Sequence, residues 1–274
     1  MGKSKRKKKK SERTAANSDR HVLYEKSVQE PTADCEFIEQ AWREVRGRRP
    51  RHLREDFCGT AIAAIEWVKR RKDHTAIGVD LSPDVLAIAQ KRVTKRLKGE
   101  QRSRIKLIEE DVTKVKTRKV DTVVAMNFSY FIFKTRRKLK GYFRNAREAL
   151  VDDGLLIIDI YGGSDSFLEE KEKREVDGFT YVWDTEHYNP ITGDVINHIH
   201  FRFPDGSKIK EAFTYEWRLW TIPELRELLK EAGFKRVDVY WEGTDEDGEG
   251  DGEYSVSTRG EACEGWVTYL VAAV

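Results

Sequence analysis

Residues 54–61 read R-E-D-F-C-G-T-A, and a helix-like stretch carries the chain from there into G-V-D-L-S-P at residues 78–83. A strand that ends in a tight turn and enters a helix presents free backbone N–H groups at the helix start, where a polar or anionic ligand group can sit. Gly59 lets such a ligand approach the backbone closely. The apolar run at 76–79 supplies a second strand, and Asp80 ends it near the ~20-residue offset from the turn at which an acid meets the hydroxyls of a ribose. Its carboxylate can accept two hydrogen bonds from a diol. Loop and acid together predict the nucleotide-binding first half of an α/β sheet.

Outward from this segment, strand and helix signals alternate. Phe37, Ile38, Ala41, Trp42 and Val45 recur at helical spacing before the first strand. Strands are then expected at 52–57 and 76–80, with helices at 61–71 and 82–97; Ser82 and Pro83 open the second helix as N-cap and first helical residue. Further strands are expected at 105–109, 120–126 and 155–160, with a helix at 136–150. The run at 155–160, L-L-I-I-D-I, is apolar in all but one residue, as suits a strand buried on both faces. Such alternation implies a doubly wound, mostly parallel sheet, which places ligands outside the carboxyl ends of its strands. After Tyr161 the pattern changes. Segments 179–183, 195–203 and 208–217 alternate or are rich in β-branched and aromatic residues, with turns between them, and predict an antiparallel β insertion after the fifth strand. A helix at 221–232 and strands at 235–241 and 265–272, joined by an acidic glycine-rich loop, complete the chain.

At 274 residues the chain can bury a full core without disulfides. Cys35, Cys58 and Cys263 lack metal-like spacing and suit a reducing, cytoplasmic compartment. No apolar run approaches the ~20 residues of a membrane span, so no membrane partner is expected. Net charge is only +3, yet residues 3–10 carry seven basic side chains and residues 245–253 carry six acidic ones. The basic block and its polar continuation read as a disordered tail at 1–19, through which nucleic acid is a possible partner.

The order of elements resembles the class I S-adenosylmethionine-dependent methyltransferases over roughly residues 24–274. The family's first motif reads acid, apolar, Gly, x, Gly, x, Gly. Here Glu55, Asp56, Phe57, Cys58, Gly59, Thr60 and Ala61 occupy those places, with Phe57 and Ala61 where two glycines are usual. The resemblance implies a Rossmann-like sheet, mostly parallel with an antiparallel C-terminal strand, and S-adenosyl-L-methionine as cofactor. It implies a core with an N-terminal lid at 20–162, a β-rich cap at 163–220 and the rest of the core at 221–274. By the same likeness Glu55, Phe57, Cys58 and Gly59 line the cofactor and Asp80 holds its ribose. Leu81 would pack on the adenine, Asp111 and Val112 meet its amino edge, and Asn127 and Phe128 reach the methionine part or the acceptor. Tyr24 and Gln29, in Y-E-K-S-V-Q at 24–29, would be lid contacts. M-N-F-S at 126–129, with the β insertion, looks most like N-methyltransferases of the glycine and sarcosine type.

Methyl transfer is an in-line displacement whose leaving group departs neutral, so positioning and exclusion of water do most of the work. Aromatic faces suit a sulfonium cation, and Phe57, Phe128, Tyr130, Tyr161, Tyr181, Tyr215, Trp217 and Trp220 are candidates. Asn127, His200 and Arg218 are the catalytic candidates. Arg218, between Trp217 and Trp220, can clamp an acceptor carboxylate or simply form a surface ion pair. His198 and His200 share a strand face with no third ligand at a suggestive spacing, so no metal is expected, and either can take a proton from an amine. Asp245, Asp247, Glu249 and Asp251 do not make a calcium loop, because Val256 stands where its last ligand belongs. The leading expectation is a methyltransferase for a small-molecule acceptor, an amine among the options; the alternatives are an RNA or protein methyltransferase anchored by the tail, or a cofactor-binding protein without activity. Oligomeric state stays open.

Overall fold

The computed structural model describes residues 13–246 and 250–274. The basic block at 3–10, and Asp247 and Glu249 of the acidic segment, lie outside the described residues. Helix α1 (Arg20–Ser27) is capped by the Asp19 carboxylate, which accepts hydrogen bonds from the N–H groups of His21 and Val22. Helix α2 (Pro31–Arg46) buries Cys35, Phe37, Ile38, Ala41 and Trp42, the stripe its spacing predicts, and ends on Gly47 in the left-handed region.

The core then alternates β1 (His52–Asp56), α3 (Ile62–Arg70), β2 (Thr75–Asp80), α4 (Pro83–Arg96), a short α5 (Glu100–Ser103), β3 (Ile105–Glu109), β4 (Val120–Ala125), α6 (Arg136–Glu148) and β5 (Leu150–Gly162). The cap is an antiparallel sheet of β6 (Lys171–Val176), β7 (Phe179–Tyr188), β8 (Asp194–Arg202) and β9 (Lys208–Arg218). Helix α7 (Ile222–Glu231) and strands β10 (Arg236–Thr244), β11 (Gly250–Val256) and β12 (Trp266–Ala273) return to the core.

The main sheet has the order β11-β10-β12-β5-β4-β1-β2-β3. Strands β1 to β5 pair in parallel, while β12 runs antiparallel to both β5 and β10. The order of strand addition reverses beside β1, which opens a crevice at the carboxyl ends of β1 and β4. Apolar side chains of α2, α3 and α4 cover one face of the sheet, and those of α6 and α7 cover the other. Every residue of β4 is buried, as a strand covered on both faces requires. Helix α1 bridges core and cap, its Leu23 packing with Phe179, Phe201 and Phe203 of the cap.

Two expectations need correction. Residues 13–19 are not disordered: a 3-10 turn at Ala15–Asn17 docks on the cap, with the Ala15 N–H donating to the Ser207 hydroxyl at 2.9 Å. The acidic loop is shorter than its composition suggests, because β11 pairs antiparallel with β10 as an exposed edge strand. Almost every residue of β11 is exposed, so no apolar alternation announces it. The same holds for β6, K-E-K-R-E-V, which is exposed almost throughout and is held by pairing with β7.

Candidate active site

The loop after β1 keeps the shape of a three-glycine turn with only one glycine. Phe57, Gly59 and Ala61 have φ of +56°, +51° and +57°. For the two that carry a side chain, this conformation costs roughly 1–2 kcal/mol each. Packing holds them there: the Phe57 ring lies 6.0 Å from Phe133 and 5.7 Å from Tyr142, and Ala61 is fully buried. The Cys58 N–H donates to the Val79 carbonyl at 2.9 Å, which fastens the loop to β2. A Cβ built on Gly59 would meet nothing within 4 Å, so the turn faces an open groove.

Asp80 closes that groove from the end of β2. Its carboxylate accepts from the N–H of Gly59 at 2.8 Å and from that of Ser82 at 2.9 Å, with lone pairs left over for a diol. Leu81 beside it is 69% exposed, an apolar side chain with no protein surface to cover it. Asp111 fastens its own turn by accepting from the N–H and hydroxyl of Thr113, at 2.8 and 2.7 Å, and Val112 is buried beneath it.

Glu55 and Asp56 point to opposite faces, as strand alternation requires. The Glu55 carboxylate lies buried under α3 and accepts from the Ala64 N–H at 2.9 Å, so part of its capacity serves the helix start rather than a ligand. Burial pushes its carboxyl up to about 8. Asp56 is wholly inside, bonded to Arg54 and to the Tyr142 hydroxyl.

The segment expected to form a lid is helical through Ser27. Its Glu25 is buried and accepts from the Thr60 hydroxyl at 2.9 Å, Arg92 Nε at 3.0 Å and Arg96 Nη2 at 2.8 Å, which ties α1 to the glycine loop and to α4. Tyr24 and Val28, on the same helix and its end, face the cavity described below. Gln29 has its Oε1 buried with no partner, an acceptor in want of a donor. The exposed Leu81, the open face of Gly59, the free lone pairs of Asp80 and the orphaned Gln29 oxygen together fit a nucleoside linked to an amino acid. These residues would hold S-adenosylmethionine.

Asn127 and Phe128, just past β4, both take φ of +57°. Their N–H groups donate to Asp159 at 2.6 and 2.9 Å. This buried carboxylate on β5 escaped the sequence reading, although an acid inside the run L-L-I-I-D-I must find donors to be tolerated. Burial raises its carboxyl to about 7, against the pull of the two backbone donors.

Between the strand ends and the cap lies a cavity of about 670 Å³. Its core side is Asn127, Phe128 and Tyr161; its cap side carries Tyr181, Trp183, Tyr215 and Trp217. Tyr215 and Trp217 stand 4.4 Å apart, and Trp183 lies 6.0 Å from Tyr215. Five of the proposed aromatics are therefore in place, whereas Tyr130 and Trp220 are buried and, with Phe57, lie away from this cavity. Thr185, Trp183 and Trp266 were not foreseen.

His200 and Arg218 do not belong to this cavity. Ile199 faces it, so its strand neighbours His198 and His200 face the opposite side of the cap. There His200 Nε2 meets Asp184 at 2.9 Å while its Nδ1 accepts from the Glu211 N–H at 2.8 Å. Arg218 donates to Glu224 at 2.8 Å and lies over the Trp220 ring at 3.8 Å, an ion pair at the edge of the cap. Among the described residues no group of three or more His, Cys, Asp or Glu side chains is placed to hold a metal ion, and no helix is long and apolar enough to cross a membrane.

Comparison with known proteins agrees with this geometry. Residues 58–156 match a family model described as a methyltransferase domain. No curated protein matches the sequence. Among solved structures, an S-adenosylmethionine-dependent methyltransferase from Clostridium acetobutylicum ATCC 824 is 20% identical, covering 92% of this chain and 96% of that one with a TM-score of 0.68. CalS10, an amino pentose methyltransferase from Micromonospora echinaspora, is 15% identical over 92% of this chain and 95% of its own, with a TM-score of 0.65. The sugar N-methyltransferase KedS8 from Streptoalloteichus sp ATCC 53650 is 19% identical over 100% and 97%, with a TM-score of 0.62. Residues 58–156 thus match a methyltransferase domain, within a chain that shares the fold of these S-adenosylmethionine-dependent methyltransferases along almost all its length.

Proposed function

We propose that the enzyme methylates an amine on a small, polar, ring-bearing molecule bound in the cavity between core and cap. The observation that carries this reading is the cavity itself: about 670 Å³, aromatic on the cap side and bounded on the core side by Asn127, Phe128 and Tyr161. That volume suits a small molecule. Similar folds in solved structures include proteins titled an amino pentose methyltransferase, a sugar N-methyltransferase and a glycopeptide N-methyltransferase, which supports an amine on a saccharide-like ring.

The bound cofactor supplies a methyl group on a cationic sulfur, which leaves as a neutral thioether when the new bond to nitrogen forms. The protein's residues do the rest. Trp183, Tyr215 and Trp217 offer flat faces to the apolar side of a ring and keep water out. Asp165, Glu172 and Glu242 line the same cavity and favour a cationic amine over a neutral or anionic acceptor, Lys173 and Arg174 notwithstanding. An ammonium has no lone pair to attack with and must first give up a proton. Glu172, which lines the cavity from the exposed edge strand β6, is the group for that step: desolvation on its covered side, with the charges of Glu170 and Asp165, raises its carboxyl above the usual range.

The test is direct. The protein is incubated with S-adenosylmethionine and a panel of amino sugars and simple aliphatic amines, and products are read by mass spectrometry. A gain of one methyl on nitrogen is expected. Methylation of RNA or protein with none of the amines modified would overturn the reading.

A further inference from the structure

Asn197 lies in the middle of β8, wholly buried behind the aromatic wall of the cavity. Its Oδ1 accepts from the Thr185 hydroxyl at 2.9 Å, its partner in the β7 ladder, and this bond decides which way the amide faces. The amide nitrogen Nδ2 is buried and makes no close hydrogen bond; the polar group it faces is the Tyr161 hydroxyl, whose phenol it pulls down against burial. Leaving an amide donor unmade in a dry place costs about 1–3 kcal/mol, whereas an apolar side chain of the same volume would carry no such cost. A group that is expensive for the fold and sits against a ligand cavity asks for a reason there. The polar side chain that Asn197 acts on is Tyr161, and both Tyr161 and Thr185 line the cavity. Tyr161 is also against Phe128, with ring centroids 4.7 Å apart, beside the strand ends where the methyl group would be presented.

We propose that Asn197 is a positioning residue for the acceptor: its Nδ2–H donates to the Tyr161 hydroxyl oxygen in the loaded enzyme, and that oxygen accepts the N–H of the amine to be methylated. The arrangement holds the amine by its hydrogen, so its lone pair is left to point at the methyl carbon. Neither residue gains or loses a proton in the step. Burial holds the Tyr161 phenol well above its ordinary range, so the oxygen stays a neutral acceptor throughout. Thr185 completes the chain by keeping the Asn197 amide from turning over. The proposal rests on the reading of this cavity as an amine site.

The experiment compares wild type with Asn197→Leu, Thr185→Val, Tyr161→Phe and the Asn197→Leu/Tyr161→Phe double variant. Thermal unfolding and calorimetry with S-adenosylhomocysteine establish that each is folded and binds the cofactor product. Asn197→Leu and Tyr161→Phe should each lower kcat roughly ten- to hundredfold, while KM for S-adenosylmethionine stays within about twofold. The double variant should lose no more than the worse single one, because both act through one oxygen. If Asn197→Leu does not fold, Thr185→Val carries the test, with a smaller loss of the same kind. Wild-type kcat in these variants, or losses that multiply in the double variant, would overturn the proposal alone. A wild type that methylates no amine would overturn the reading of the site and this proposal with it.

Discussion

Asp80 accepts a 2.8 Å hydrogen bond from the backbone N–H of Gly59, so the acid at the end of β2 and the turn at the end of β1 form one unit before any ligand arrives. Its second oxygen holds the N–H of Ser82 ahead of α4. Removing the carboxylate therefore takes away the proposed ribose contact and loosens the loop beside it. Asp80→Ala is expected to weaken S-adenosylmethionine binding about a hundredfold, and Asp80→Asn about tenfold, since an amide oxygen keeps one of the backbone bonds. Calorimetry reads both, and undiminished binding by Asp80→Ala would remove Asp80 from the site.

The buried Glu25 carboxylate predicts how the lid behaves. It joins α1 to Thr60, Arg92 and Arg96, and α1 in turn packs on the cap through Leu23 and Tyr24. With α1 as the proposed lid, release of the cofactor product past it breaks this cluster. Glu25→Gln keeps the shape and loses the charge, so it is expected to raise the dissociation rate of S-adenosylhomocysteine about ten- to hundredfold, with a smaller effect on association. Stopped-flow displacement measures it. An unchanged off-rate would mean that α1 is not the gate.

The contrast between Asp80 and Glu25 shows what the sequence made legible. Gly59, Asp80 and Leu81 form a local pattern whose spacing follows from one βαβ unit, and the alternation of strands and helices led to the sheet. Glu25 and Asp159 carry no such pattern. Each is an acid whose role depends on donors from elements far off in the chain, Arg92 and Arg96 for one and the turn after β4 for the other. His200 was misplaced for a related reason, while Arg218 forms the ion pair that was its alternative reading. Period-two alternation tells which residues of a strand share a face, but not which face looks inward, and in β8 the inward set is Asn197 and Ile199.

Ala61 tests the cost of a glycine loop without its glycines. At φ +57° it is strained, and its methyl is fully buried. Ala61→Gly relieves roughly 1–2 kcal/mol of backbone strain and loses about 0.8 kcal/mol of burial together with some rigidity of the unfolded chain, so stability should change by no more than about 1 kcal/mol. Ala61→Val adds a β-branched side chain to the same conformation in a filled space and should cost about 2–4 kcal/mol. Denaturant midpoints decide it. Equal stability of the Val and Gly variants would show that the loop does not hold this conformation.

Glu55 makes stability depend on pH with a definite sign. Burial raises its carboxyl from an ordinary value of 4.5 to about 8 in the folded protein. Between those values the folded state holds a proton that the unfolded state has released, so the folded state binds more protons and stability falls as pH rises. Asp159, raised from 3.8 to about 7, adds a contribution of the same sign at the lower end of the window. Glu55→Gln removes the titration while its amide oxygen can still accept from the Ala64 N–H, the bond that starts α3. The wild type should therefore lose stability steadily from about pH 5 to pH 8, and Glu55→Gln should lose distinctly less over the same range. Urea unfolding at a series of pH values reads the slope. Parallel curves for the two proteins would mean that Glu55 is ionised in the fold, and the burial argument for this residue would fail.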